Sequence, residues 1–172
     1  NTPDVAEEVL AEGCADMVSM ARPFLADPEI ILKTMEGRTH EINTCIACNQ
    51  ACLDHTFQMK ISSCLVNPRA CHETELNYIP TDSPKRIAVV GAGPAGLAFS
   101  HIAAMRGHNV TLYESDDKLG GQFNYAKIIP GKADYGETIR FYTEMMKKYK
   151  VNIALNHRVE ADYLVQEDFD EI

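Results

Sequence analysis

Four cysteines carry the most pointed chemistry in this 172-residue chain. Cys45, Cys48 and Cys52 follow the spacing C-x2-C-x3-C within Cys45-Ile46-Ala47-Cys48-Asn49-Gln50-Ala51-Cys52, and Cys64 comes after eleven further residues. Four soft thiolates in one short stretch can close a tetrahedral metal site or hold an iron–sulfur cluster. The usual zinc pattern is two separated C-x2-C pairs. Here three ligands cluster and one stands apart, which suits a cubane [4Fe-4S] centre, with zinc as the alternative. Residues 41–74 have little helical or strand periodicity, as expected where a metal replaces a hydrophobic core. Cys14, beside Gly13, reads as a small buried residue, and Cys71 is a reserve ligand only.

A second constellation begins at residue 86. Arg86-Ile87-Ala88-Val89-Val90 reads as a buried strand running into Gly91-Ala92-Gly93-Pro94-Ala95-Gly96. A lone G-x-G-x-x-G is weak, but this one follows a β run and opens an apolar helix over 97–105. A second strand follows over 109–113, ending in Glu114, eighteen residues after Gly96. That is close to the spacing at which an acid takes ribose hydroxyls in a dinucleotide-binding fold. Gly91 is expected to make the tight turn, Gly93 to admit a pyrophosphate and Gly96 to let helix pack on strand. The pair Gly120-Gly121 before Gln122 brings another loop to the cofactor and suits FAD better than a bare nicotinamide site. The acid at 114 disfavours a 2′-phosphate. Lys132 stands in a loop where it reaches either the flavin side or solvent. Main-chain atoms near Val159 can meet an adenine edge.

The elements that must position these groups follow from the local pattern. Thr2-Pro3-Asp4 opens a helix that Gly13 closes. Residues 15–20 read as a buried strand, Ala21-Arg22-Pro23-Phe24 as a loop, and Asp27-Pro28-Glu29 as the cap of a helix stopped by Gly37. Helix, strand, loop and helix form one unit of an α/β fold. Arg22 reads either as a surface arginine or as a phosphate ligand at the mouth of a barrel. Residues 75–85 read as a linker, 135–148 as an amphipathic helix with Ile139, Tyr142 and Met146 on one face, and 151–155 as a third strand.

Bulk properties narrow the function classes. A net charge of −9 argues against a general nucleic-acid surface. No apolar run approaches the ~18 residues of a membrane helix, so no membrane partner is expected. The polar start, without initiator Met or signal pattern, is expected of a piece of a longer cytoplasmic protein. Crowded cysteines beside a nucleotide-binding pattern favour reduced thiols over secreted disulfides.

Ala21-Arg22-Pro23-Phe24, CIACNQAC, SCLVNPRAC, VVGAGPAGLA, VTLYE and LGGQF together resemble the bacterial NADPH-dependent 2,4-dienoyl-CoA reductases along the whole chain. These are a branch of the old-yellow-enzyme-like iron–sulfur flavoproteins, which also include trimethylamine dehydrogenase and enoate reductases. The cysteine spacing is closer to the reductase branch than to the amine dehydrogenases. The resemblance implies an α/β chain in which residues 1–40 are the last βα unit of an FMN-binding (β/α)8 TIM barrel and 41–74 the iron–sulfur segment. Residues 86–172 would then be the first part of a Rossmann-like FAD-binding domain. It places Ala21 and Arg22 on FMN phosphate, Cys45, Cys48, Cys52 and Cys64 on the cluster, and Ala95, Glu114, Gln122, Lys132 and Val159 on FAD.

The implied function is relay of electrons from NADPH through FAD and the cluster to FMN, which reduces a conjugated double bond of an acyl-CoA. The rest of the barrel, with the catalytic residues, and the NADPH domain would lie elsewhere in the same chain, so no catalytic residue is expected here. Two alternatives stand beside this one: an amine dehydrogenase of the same family, and a zinc-stapled, non-catalytic nucleotide-binding module.

Overall fold

A computed structural model describes residues 2–172, in two compact units, Asn1–Asn77 and Tyr78–Ile172. In the first unit, helix α1 (Pro3–Ala11) has proline in its first turn and Asp4 at its positive end. Gly13, at φ +68°, closes it by donating to the Leu10 carbonyl. Helices α2 (Arg22–Ala26) and α3 (Ile30–Met35) follow, then a 3-10 turn (Thr39–Glu41) and a single π turn (Gln50–Asp54) that runs into α4 (His55–Phe57).

Three expectations change here. Residues 15–20 form no strand: the described residues of this unit offer no second strand to take their N–H and C=O groups. Residues 22–24 are the first turn of α2 instead of a loop, because Pro23 suits a first turn. Cys14 is exposed, its thiol 3.7 Å from a Glu12 carboxylate oxygen.

The apolar core of this unit is small, and polar ties do much of the holding. Asp27, 3% exposed, accepts from the Glu29 N–H at 3.0 Å, the Asn43 N–H at 2.8 Å and the Lys33 ammonium at 2.6 Å. Asn43 in turn donates to the Val66 carbonyl at 2.7 Å, and Asn67 to the Leu25 carbonyl at 2.8 Å. The α2–α3 corner is thus laced to both ends of the cysteine segment. Asp27→Ala should cost about 3–5 kcal/mol, the range for breaking a buried pair. The lower end is expected, because Glu29 still stands 3.8 Å from Lys33. Urea unfolding and amide exchange at residues 43–46 will read the loss.

The second unit is a three-stranded parallel sheet in the order β1 (Arg86–Val90), β2 (Asn109–Tyr113), β3 (Asn152–Ala154). The register pairs Val90 with Tyr113, and Tyr113 with Ala154. Helices α5 (Pro94–Met105), α6 (Phe123–Ala126), α7 (Tyr135–Lys148) and α8 (Ala161–Gln166) complete it. Both faces of the sheet are covered, hence the near-continuous apolar strands. Ile87, Val110 and Leu112 pack with Leu97 of α5 and with Phe141 and Met146 of α7. Ala88 and Tyr113 pack with Leu164 of α8. The buried stripe of α7 is Thr138, Phe141, Tyr142, Met145 and Met146, which leaves Ile139 at its margin. On the other edge of β1, Ile87 forms an isolated parallel bridge with Glu171.

Candidate functional site

Within the first unit, Cys45, Cys48, Cys52 and Cys64 line one concavity, together with Arg22 and Asn49. Its remaining walls are apolar: Leu25, Ile46, Ala51, Leu65 and Val66. Local conformation explains how one short loop aims three thiols at one space. Ala47 and Asn49 are left-handed, at φ +53° and +59°, on either side of Cys48. Two left-handed residues this close together turn the loop sharply at Cys48. The Ala47 N–H stands 3.4 Å from the Cys45 sulfur. The π turn then carries Cys52, and Cys64 returns beside it because the Ser63 N–H donates to the Ala51 carbonyl at 2.8 Å.

Burial pushes the Cys64 thiol above its ordinary pKa. Backbone N–H groups of Val66 and Asn67 pull it the other way, and the neighbouring Cys45 and Cys48 add to the rise.

No disulfide joins any of the six cysteines, all of which lie among the described residues. Among those residues, no group of three or more His, Cys, Asp or Glu is gathered around a point as for a single metal ion. Four cysteines around a mainly apolar hollow are a donor set that an iron–sulfur cluster or a zinc ion would take. Arg22 reaches this hollow too, its guanidinium donating to the Asn49 side-chain oxygen at 2.5 Å. Ala21, the residue before α2, is exposed.

In the second unit the glycine loop is built by close approach. Gly91, at φ +99°, donates to the Tyr113 carbonyl at 2.8 Å. A Cβ on Gly96 would lie 1.9 Å from the Gly91 oxygen, so α5 sits directly against the loop. A Cβ on Gly93 would meet nothing within 4 Å, which leaves its outer side open. No side chain caps α5, so the first-turn N–H groups of Ala95 and Gly96 belong to its positive end. The second glycine pair packs on the first loop: the Gly120 N–H donates to the Ala92 carbonyl at 2.8 Å, and a Cβ on Gly121 would stand 3.0 Å from the Gly93 Cα.

Glu114 is buried and holds the same loop. One carboxylate oxygen accepts the Ala92 N–H at 2.7 Å; the other accepts the Asp116 N–H at 3.0 Å and the Ser115 hydroxyl at 3.1 Å. Burial alone would raise its pKa, but these donors together hold it below the ordinary 4.5. Each oxygen takes two donors, so acceptor capacity remains on the Ala92 side for a ribose hydroxyl. Gln122 is exposed beside α6. Lys132 is also exposed, its ammonium 5.9 Å from the Tyr135 ring centroid. The Val159 side chain packs against the Ala88–Tyr113–Leu164 cluster.

A group with a lowered folded pKa stabilises fully above its ordinary value and loses that contribution as pH falls through the lowered one. The second unit should therefore weaken in acid below pH 4.5. Glu114→Gln should flatten that dependence. Glu114→Ala should weaken FAD retention by about 1.5–3 kcal/mol, read by FAD content after gel filtration and by urea midpoints at neutral and acid pH.

Two contributors escape a reading of the sequence. Asn49 was legible only as one of the few non-glycine residues that accept a left-handed conformation. Asp27 was legible as a helix cap, not as the anchor of the cysteine segment.

A parallel sheet with a glycine-rich turn onto a helix, and an acid closing that turn, define a Rossmann-like nucleotide-binding unit. Residues 89–147 match the NAD(P)-binding Rossmann-like domain family. Along nearly its whole length the chain is similar to a metal reductase of Desulforamulus reducens, with 47% identity over 95% of this chain and 23% of the relative. It is also similar to a cinnamate reductase of Clostridium sporogenes, 31% identical over 99% of this chain and 26% of that protein. Among solved structures, a 2-naphthoyl-CoA reductase in complex with 2-naphthoyl-CoA superposes with a TM-score of 0.94 at 41% identity, over 99% of this chain and 26% of that one. A histamine dehydrogenase from Rhizobium superposes with a TM-score of 0.89 at 31% identity, over 98% of this chain and 25% of that one.

Over nearly its whole length the chain is thus similar to segments of reductases and of a histamine dehydrogenase, and its residues 89–147 match a Rossmann-like NAD(P)-binding domain. It spans about a quarter of the length of these relatives. Among the described residues no helix is long and apolar enough to cross a membrane.

Proposed function

We propose that this chain is the electron-relay segment of a cytoplasmic, NADPH-dependent ene-reductase that reduces a conjugated double bond of an acyl-CoA, a 2,4-dienoyl-CoA by resemblance. The observation that carries this is the meeting of Cys45, Cys48, Cys52 and Cys64 in one mainly apolar hollow. In such an enzyme NADPH supplies a hydride, the flavins exchange hydride and single-electron chemistry, and a [4Fe-4S] cluster carries single electrons.

The chain's own part is to hold these groups. The four cysteines bind iron as thiolates, releasing their protons on loading. The open side of Gly93 and the first turn of α5, including Ala95, receive the FAD pyrophosphate, while Glu114 takes the ribose. Gln122, Lys132 and the main chain at Val159 complete the FAD site. Ala21 and Arg22 belong to the FMN-phosphate site at the edge of a barrel.

Relatives that are amine dehydrogenases support a second reading, in which electrons leave the barrel. A dimethylamine dehydrogenase of Hyphomicrobium is 32% identical over 95% of this chain. The reductase reading is favoured by the 47% and 41% identities to a metal reductase and a 2-naphthoyl-CoA reductase, and by the C-x2-C-x3-C-x11-C spacing. The test uses the full-length enzyme without oxygen. Dienoyl-CoA should be consumed in equal amount with NADPH, and dimethylamine should leave the flavins oxidised. Flavins bleached by the amine but not by NADPH would reverse the assignment.

A further inference from the structure

The resemblance assigns Arg22 to a flavin phosphate, yet its guanidinium lines the cysteine hollow and is tied there by Asn49 at 2.5 Å. Among the described residues lining that hollow it is the only charged side chain. Asn49 directly follows a cysteine, and its left-handed backbone, φ +59°, begins the π turn that carries Cys52. The hydrogen bond spans 27 residues of sequence, so it joins the start of α2 to the cysteine loop itself. Four thiolates around iron place net negative charge in an apolar space, where an uncompensated charge is costly. A half-buried guanidinium held at its wall lowers that cost, and it does so most for the more negative, reduced form. Net charge near the sulfurs is one of the factors that set a cluster's potential.

We propose that Arg22, held by Asn49, is the charge-compensating residue of the cysteine site and sets the reduction potential of the cluster bound there. This rests on the four-cysteine cluster reading and adds a duty to Arg22 that the FMN-phosphate assignment lacks. Arg22 is a positioning residue here: it acts on the cluster through charge and ligates no iron.

The experiment uses the full-length enzyme, anaerobic, with the cluster's midpoint read by EPR-monitored titration and iron, FAD and FMN measured separately. Arg22→Gln should make reduction harder, by about a tenfold change in the reduced-to-oxidised ratio at fixed potential, which is 59 mV for one electron. Arg22→Lys should recover most of that shift, since charge is the operative property. Asn49→Gly keeps the left-handed backbone while removing the tether, and should move the midpoint in the same direction by less. A native midpoint in Arg22→Gln with FMN lost would overturn the proposal and leave Arg22 to the phosphate alone. If Arg22→Gln loads no iron, Arg22→Lys and Asn49→Gly decide. A loaded lysine variant near the native midpoint, with Asn49→Gly shifted, supports the proposal; an unshifted Asn49→Gly with an iron-free lysine variant rejects it. Native enzyme holding zinc instead of iron would defeat the cluster reading itself, an outcome distinct from all of these.

Discussion

Cys64→Ala in the full-length enzyme should stop electron flow from NADPH to FMN while FAD is still reduced. Cys64 is the wall of the hollow that comes from a different stretch than Cys45, Cys48 and Cys52. Its removal leaves three thiols on one loop and one iron position unprotected. Changing groups behind a ligand already costs roughly 10–100-fold in metal affinity or activity. Removing the ligand itself should exceed that, so FMN reduction by NADPH should fall by more than about a hundredfold, with iron content and brown absorbance lost. In the proposed relay, hydride transfer to FAD lies upstream of the cysteines and should persist. FMN reduced by an artificial donor should still pass electrons to substrate. Stopped-flow spectra separate the steps. A variant that has lost its iron yet reduces FMN at the native rate would make the cysteine site a structural staple and end the relay reading.

Gly96→Ala and Gly93→Ala should fail in opposite ways. The added Cβ at 96 would stand 1.9 Å from the Gly91 oxygen and 3.1 Å from its carbon, both backbone atoms. Neither can move without lifting α5 from the turn after β1. Overpacking usually costs about 1–3 kcal/mol; a backbone collision this deep should reach or exceed the top of that range and abolish FAD binding as well. At 93 nothing lies within 4 Å and the helix-capping φ is −72°, so alanine should leave the apo fold's melting point nearly unchanged. Its methyl group would instead fill the space proposed for the FAD pyrophosphate, and FAD content should drop. Melting curves of apo protein and FAD content measure the two effects independently. Full FAD occupancy in Gly93→Ala would place the phosphates elsewhere.

Much of the nucleotide-binding unit was legible without coordinates. Strand, glycine turn, helix and strand are consecutive there, and each is specified by near neighbours: apolar runs for β1 and β2, glycines at turns, proline at the start of α5. The amphipathic period of residues 135–148 likewise marked α7. Tyr142 and Met146 are buried as read, but Thr138, Phe141 and Met145 join them and Ile139 is left at the margin, because the period alone does not specify where the sheet lies.

The cysteine segment divided differently. Residue type and spacing determined that four thiols belonged together, since that chemistry depends on the ligands' identity. Their meeting in one hollow depended on Asp27, Asn43 and Asn67, whose bonds reach 16, 23 and 42 residues along the chain. Such ties leave no periodic trace in sequence. Residues 15–20 read as a buried strand for a similar reason: a local stretch does not say whether a partner strand exists to pair with. Arg22 shows the limit most plainly. Its type left a surface arginine and a phosphate ligand both open; only the fold, by setting it 2.5 Å from Asn49, showed that the cysteine loop stands within its reach.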